Sequence, residues 1–94
     1  MRVISRKALQ DFAEANRLDS APFDAWFRIV TKADFPHFAA LRATFGSVDT
    51  AGEYFIFDIG GNKYRIIAAI HFNTQKLYVR HVLTHAEYEK WKAR

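Results

Sequence analysis

Ile59-Gly60-Gly61-Asn62-Lys63-Tyr64-Arg65-Ile66-Ile67-Ala68-Ala69-Ile70-His71 is the stretch whose reading decides the fold. Glycine and asparagine tolerate positive φ, so Gly60, Gly61 and Asn62 can make the tight primed turn of a hairpin. From Tyr64 onward the residues are almost all apolar, as in a strand covered on both faces. Arg65 breaks that pattern. A guanidinium near the start of such a strand must reach solvent or find a use for its charge.

Working outward, residues 54–59 alternate, with Phe55 and Phe57 on one face and Tyr54, Ile56 and Asp58 on the other. The central strand should run from about Lys63 to Phe72, turn through Asn73-Thr74-Gln75-Lys76, and return as a strand from Leu77 to Leu83. Thr84-His85-Ala86-Glu87 reads as a capping box opening a terminal helix, with Tyr88 and Trp91 on one side. Upstream, Met1 to Ile4 is a short strand candidate. Ser5 should cap a helix to about Asn16 with Ala8, Leu9, Phe12 and Ala13 on one face. Ser20 should cap a second helix, with Pro22 in its first turn and Phe23, Trp26, Phe27 and Val30 inward. Asp34-Phe35-Pro36 introduces a third, short helix carrying Phe38, Leu41 and Phe45. Gly46 to Glu53 (GSVDTAGE) is turn-rich and reads as a mobile loop.

The expectation is an α+β fold in one domain, residues 1–94: a twisted antiparallel sheet with an amino-terminal helical hairpin on one face and a short carboxy-terminal helix. Half of the residues are hydrophobic and 16% are aromatic, a composition for a globular core and against disorder. No apolar run approaches the ~20 residues of a membrane span, and the start passes into a polar helix without a secretory leader. The chain has no cysteine, which excludes disulfides, thiolate catalysis and cysteine-ligated metals. The composition fits a cytoplasmic protein. Net charge is +4, unevenly spread: residues 1–58 hold seven Lys/Arg against eight Asp/Glu, and residues 59–94 hold seven against only Glu87 and Glu89. That asymmetry indicates an anionic partner such as RNA, DNA or an acidic peptide, or else an ordinary solvated surface.

GGNKYRIIAAI followed by LYVRHVLTHAEY resembles the HigB family of toxins of bacterial type II toxin–antitoxin modules, within the RelE/ParE superfamily. The likeness continues upstream through LRATFGSVDTAGEYFIFDIGG and, more loosely, ISRKALQDFAEA. It implies the same α+β fold and an endonuclease acting on mRNA, generally on the ribosome, silenced by a helix-turn-helix antitoxin of the HigA type. Two rival functions remain beside it: a gyrase inhibitor of the same fold, as ParE-like proteins are, and a nucleic-acid-binding module without chemistry.

Cleavage of RNA without a metal needs an acid–base pair and a fixed cation, because the transferring phosphate gathers negative charge. Arg65 is the candidate cation, and Tyr64-Arg65 matches a RelE-type position where an arginine follows an aromatic at the start of this strand. The alternative for Arg65 is an ion-pair partner. His85 matches the basic position after the last strand. At a helix amino terminus beside arginines a neutral imidazole is favoured, which suits it to accept a proton. Tyr88 matches a superfamily tyrosine and could orient a phosphate, stack on a base or pack with Trp91. His81, sharing a strand face with Val79 and Leu83, is catalytic or simply packed. Asn62, Lys63 and Arg80 are candidate RNA contacts, while His71 and His37 carry little weight. No cofactor or metal is expected. His81 and His85, four apart across an extended segment, would lie roughly 13 Å apart, too far to share an ion bound at roughly 2 Å.

Overall fold

A computed structural model describes residues 1–92. It contains β1 (Arg2–Ile4), α1 (Arg6–Ala15), α2 (Ala21–Lys32), α3 (Phe38–Thr44), β2 (Asp49–Ala51), β3 (Tyr54–Ile59), β4 (Tyr64–His71), β5 (Lys76–Thr84) and α4 (His85–Lys92). The five strands form one sheet in the order β1-β5-β4-β3-β2. No helix among the described residues is long and apolar enough to cross a membrane.

The chain is α+β as expected, but its sheet is mixed. β1 runs parallel to β5, Arg2 opposite Lys76 and Ile4 opposite Tyr78, while every other pair is antiparallel. A parallel neighbour needs a long crossover, and the helices that follow β1 supply it. Three residues of strand carry no sign of their direction. The reading of GSVDTAGE as a mobile loop is corrected too: β2 lies within it and pairs with β3. Between Ala51 and Tyr54 only Gly52 and Glu53 remain, and Gly52 has φ +60, which makes this a two-residue hairpin.

The face of Phe55 and Phe57 carries the helices. Phe57 is 1% exposed, with the rings of Trp26 and Phe45 both 5.2 Å away and edge-on. Phe38 lies 5.6 Å from Phe55, and Tyr64 packs against Phe12 and Phe23. The other face, with Tyr54, Ile56, Asp58, Arg65 and Ile67, is where α4 sits. Trp91 reaches Tyr54 on β3 and His81 on β5, with ring centres 6.0 and 6.1 Å away. The buried Ile56 on β3 and Ile67 on β4 lie on this same face.

β5 carries an irregularity that simple alternation hides. Ile67 pairs with His81 and Ala68 with Val79, so Arg80 is an extra residue, a bulge. It turns Val79 towards the helical core, whereas His81 faces Trp91. The expectation that His81 shares a face with Val79 fails for this reason.

Helix ends depart from the sequence in detail. Ser5 and Ser20 stand at their N-cap positions without a side-chain capping bond. Asp19 Oδ1 instead accepts from the Ala21 amide, and His37 Nδ1 accepts from Ala40 to cap α3. Gln75, at φ +55, clasps a distant loop: its amide accepts from the Phe35 N–H at 2.9 Å and donates to the Phe35 and Phe72 carbonyls, both at 2.8 Å. Gln75→Ala should therefore cost about 1–3 kcal/mol, the range for stranding partly buried partners, read from urea unfolding. Gln75→Gly relaxes the positive φ and should still lose stability if the clasp is the cause.

Candidate active site

The four-residue turn between Ile59 and Tyr64 sets the site's geometry. Gly60, Gly61 and Asn62 all take positive φ, at 64°, 64° and 77°, and a Cβ on Gly60 would come within 3.3 Å of the Tyr64 ring. With Ile59 opposite Tyr64, the next rung pairs Asp58 with Arg65 and Arg65 with Leu83. Two opposite charges thus face each other across adjacent strands. Arg65 Nε and Asp58 Oδ1 are 2.9 Å apart.

Arg65 is 6% exposed, and each of its donors is engaged. Nη1 donates to the carbonyls of Asn62 at 3.0 Å and Tyr64 at 3.2 Å. Nη2 donates to Asn62 Oδ1 and meets His85 Nδ1 at 3.2 Å. Its guanidinium carbon also lies 5.1 Å from the centre of the Tyr88 ring. A guanidinium has five N–H groups, and five partners take them.

His85 is fixed from both ends. Its backbone N–H donates to the Lys63 carbonyl at 2.9 Å, tying the start of α4 to the glycine turn. The capping box forms as the sequence predicts: the Glu87 amide donates to Thr84 Oγ1 at 3.2 Å, and the Thr84 amide donates to the Glu87 carboxylate at 2.9 Å. The His85 ring is half exposed, with Nε2 towards Glu89 at 3.6 Å. Lys92 lies 2.9 Å from Glu89, and its hydrogen bond is the main cause that holds the Glu89 carboxyl below its usual pKa.

Of the residues singled out from the sequence, Asn62, Arg65, His85 and Tyr88 are brought together. Lys63 joins through its carbonyl while its side chain is exposed. Tyr88 and Trp91 lie nearly parallel, 6.1 Å apart and 23° between planes. His81 reaches the cluster only at second hand, through Trp91. Arg80 is exposed at the bulge with its guanidinium over the Tyr78 ring, apart from His85. Sequence reasoning missed Asp58 and Glu89. Asp58 had a signal: it is the one acid on its strand and mirrors Arg65 across the turn. Glu89 had only its place one helical turn after His85.

The arrangement is a half-exposed imidazole at a helix start, backed by a buried cation and flanked by an exposed lysine and a tyrosine. Such a surface can hold a phosphate. The family model of HigB toxin, the RelE-like toxic component of a toxin–antitoxin system, matches residues 19–91. The chain is 34% identical over 96 residues to the mRNA interferase toxin HigB of Escherichia coli K12, covering 99% of this chain and 92% of that protein. The mRNA interferase HigB of Shigella flexneri matches to the same extent. The mRNA interferase HigB of Escherichia coli O6:H1 is 29% identical over 93 residues, or 96% and 90% of the two chains. With one family model over most of its length and relatives aligned from end to end, this chain belongs to the HigB toxin family, the RelE-like toxic components of toxin–antitoxin systems.

Proposed function

We propose that this chain cuts messenger RNA, engaged on the ribosome, by attack of a ribose 2′-hydroxyl on the adjacent phosphate. The 2′-oxygen bonds to phosphorus as the bond to the 5′-oxygen breaks; the 2′-oxygen gives its proton to water and the 5′-oxygen takes one from water. The upstream fragment then ends in a cyclic phosphate. The reaction gathers negative charge on the phosphate oxygens, so it needs donors held in place beforehand. The observation that carries the reading is the clamped pair of Arg65 and His85, with one imidazole edge held inward and the ring half exposed. The names of the relatives and the basic charge of residues 59–94 support it.

In this reading Lys63 meets a phosphate at the glycine turn, and Tyr88 orients the phosphate or stacks on a base. Asn62 acts through its hold on Arg65. His81 and Arg80 touch RNA further along β5. The site is shallow, and the ribosome supplies the substrate geometry that a chain of 94 residues cannot. The partner is a helix-turn-helix antitoxin of the HigA type, and the work is done in the cytoplasm.

Induction of the chain alone should stop growth, with message cut only while it is being translated, as primer extension would detect. Co-expression with the antitoxin should restore growth and yield. The upstream ends should carry cyclic or 3′-phosphate, and cleavage should persist in chelator when the ribosomes are held intact by another cation. Normal growth with abundant soluble protein would overturn the toxin reading. Arrest with intact message would point to gyrase inhibition, and 3′-hydroxyl ends would overturn 2′-hydroxyl attack.

A further inference from the structure

The contact between Arg65 Nη2 and His85 Nδ1 has only one chemical polarity. A guanidinium has donors and no acceptor, so Nδ1 must supply the lone pair. A neutral imidazole carries a single proton, which then resides on Nε2. While the bond stands, Nδ1 cannot hold a second proton, because two N–H groups would point at each other. Arg65 is not free to turn away: Asp58, Asn62 and the Tyr64 carbonyl hold its other donors, and its side chain is 7% exposed. The helix amino terminus at His85 adds a positive dipole end that opposes a charged ring. Glu89, near Nε2, pulls the other way, but its second oxygen is tied to Lys92 at 2.9 Å.

We propose that Arg65 fixes His85 as a neutral ring with its proton on Nε2, and that His85 serves the reaction as a hydrogen-bond donor to the scissile phosphate. The second half rests on the nuclease reading above. His85 then carries no proton to or from the RNA, which departs from the sequence expectation of a proton acceptor: that role needs a lone pair on the exposed edge, and the lone pair faces inward. A neutral histidine polarising an oxygen at a helix amino terminus is known chemistry. Arg65 is the positioning residue behind it. With no N–H to spare, it offers the phosphate nothing directly, and the exposed cations on hand are Lys63, whose carbonyl binds the His85 amide, and Lys92, 5.5 Å from the centre of the Tyr88 ring.

The test has two arms on the full chain. In nitrogen-15 NMR of the wild-type protein, with His85→Gln to assign the ring, Nε2 should be protonated. Nδ1 should show the shift of a hydrogen-bonded lone pair, with a coupling to Arg65 Nη2 across the bond. A proton on Nδ1 overturns the assignment. In single-turnover cleavage, His85→Ala should lose roughly 100- to 1,000-fold, the scale for one donor facing developing charge. His85→Gln should stay within about tenfold of wild type, because its amide both accepts from Arg65 and donates outward. Equal losses in the two variants would overturn the donor role and return His85 to proton transfer. Wild-type protein with the Nε2–H ring but no cleavage would sink the nuclease reading, and the donor role with it, while the Arg65–His85 assignment stands.

Discussion

Arg65→Ala should lose about 3 kcal/mol of folding stability, the lower end of the cost of removing one partner from a buried ion pair, because the Asp58 side chain left behind is 29% exposed. The loss is large because the guanidinium joins four segments: Asp58 on β3, Asn62 in the turn, β4 itself, and His85 at the head of α4. Its removal leaves the Asp58 carboxylate beside an apolar strand and the Asn62 and Tyr64 carbonyls without their donor. A small domain holds only about 5–15 kcal/mol in all, so the variant should unfold at much lower urea. The check is a double-mutant cycle. Asp58→Asn with Arg65→Met removes both charges and should be less destabilised than the arginine variant with Asp58 kept. If Arg65→Ala melts like wild type, the network contributes nothing and the account of the site fails.

Phe57→Ala should be comparably damaging through a different cause. Phe57 is enclosed between Trp26 of α2 and Phe45 just after α3, both rings 5.2 Å away and edge-on. Deleting it opens a void between sheet and helices that neither indole nor phenyl can fill from the far side. Such truncations cost about 3–5 kcal/mol. Phe57→Leu should recover a good part by refilling the volume. The site lies on the opposite face of the sheet, so cleavage per folded molecule should be preserved in the leucine variant. Activity lost with unchanged melting would show that this face also takes part in function.

Much of this was legible because the informative residues are local. The glycine turn, the alternation of residues 54–59 and the apolar run from Ile66 locate two strands, β3 and β4, and their two faces. The capping box places the start of α4 at His85. Arg65 stood out because a charge interrupts an apolar strand. Other features depend on contacts that no local pattern encodes. The direction of β1 is fixed by where the helices return the chain. β2 was overlooked because an edge strand of three residues needs no hydrophobic signature, although Gly52-Glu53 was a usable turn signal. The hold of Asp58 and Asn62 on Arg65 was hidden for a related reason: a sequence exhibits a polar group but not how many of its donors are already engaged.

The bulge in β5 bears on how this chain can change in length. Losing a residue from an interior strand normally inverts every side chain beyond it, since the period is two. Position 80 escapes that rule. Ala68 already faces Val79 and Ile67 already faces His81, so excising Arg80 would leave those two residues adjacent and each on the face it now occupies. The sheet can therefore shorten by one at this point while the hydrophobic layer and the histidine side both stay in place. A deletion, usually confined to loops, thus has an admissible address inside the sheet.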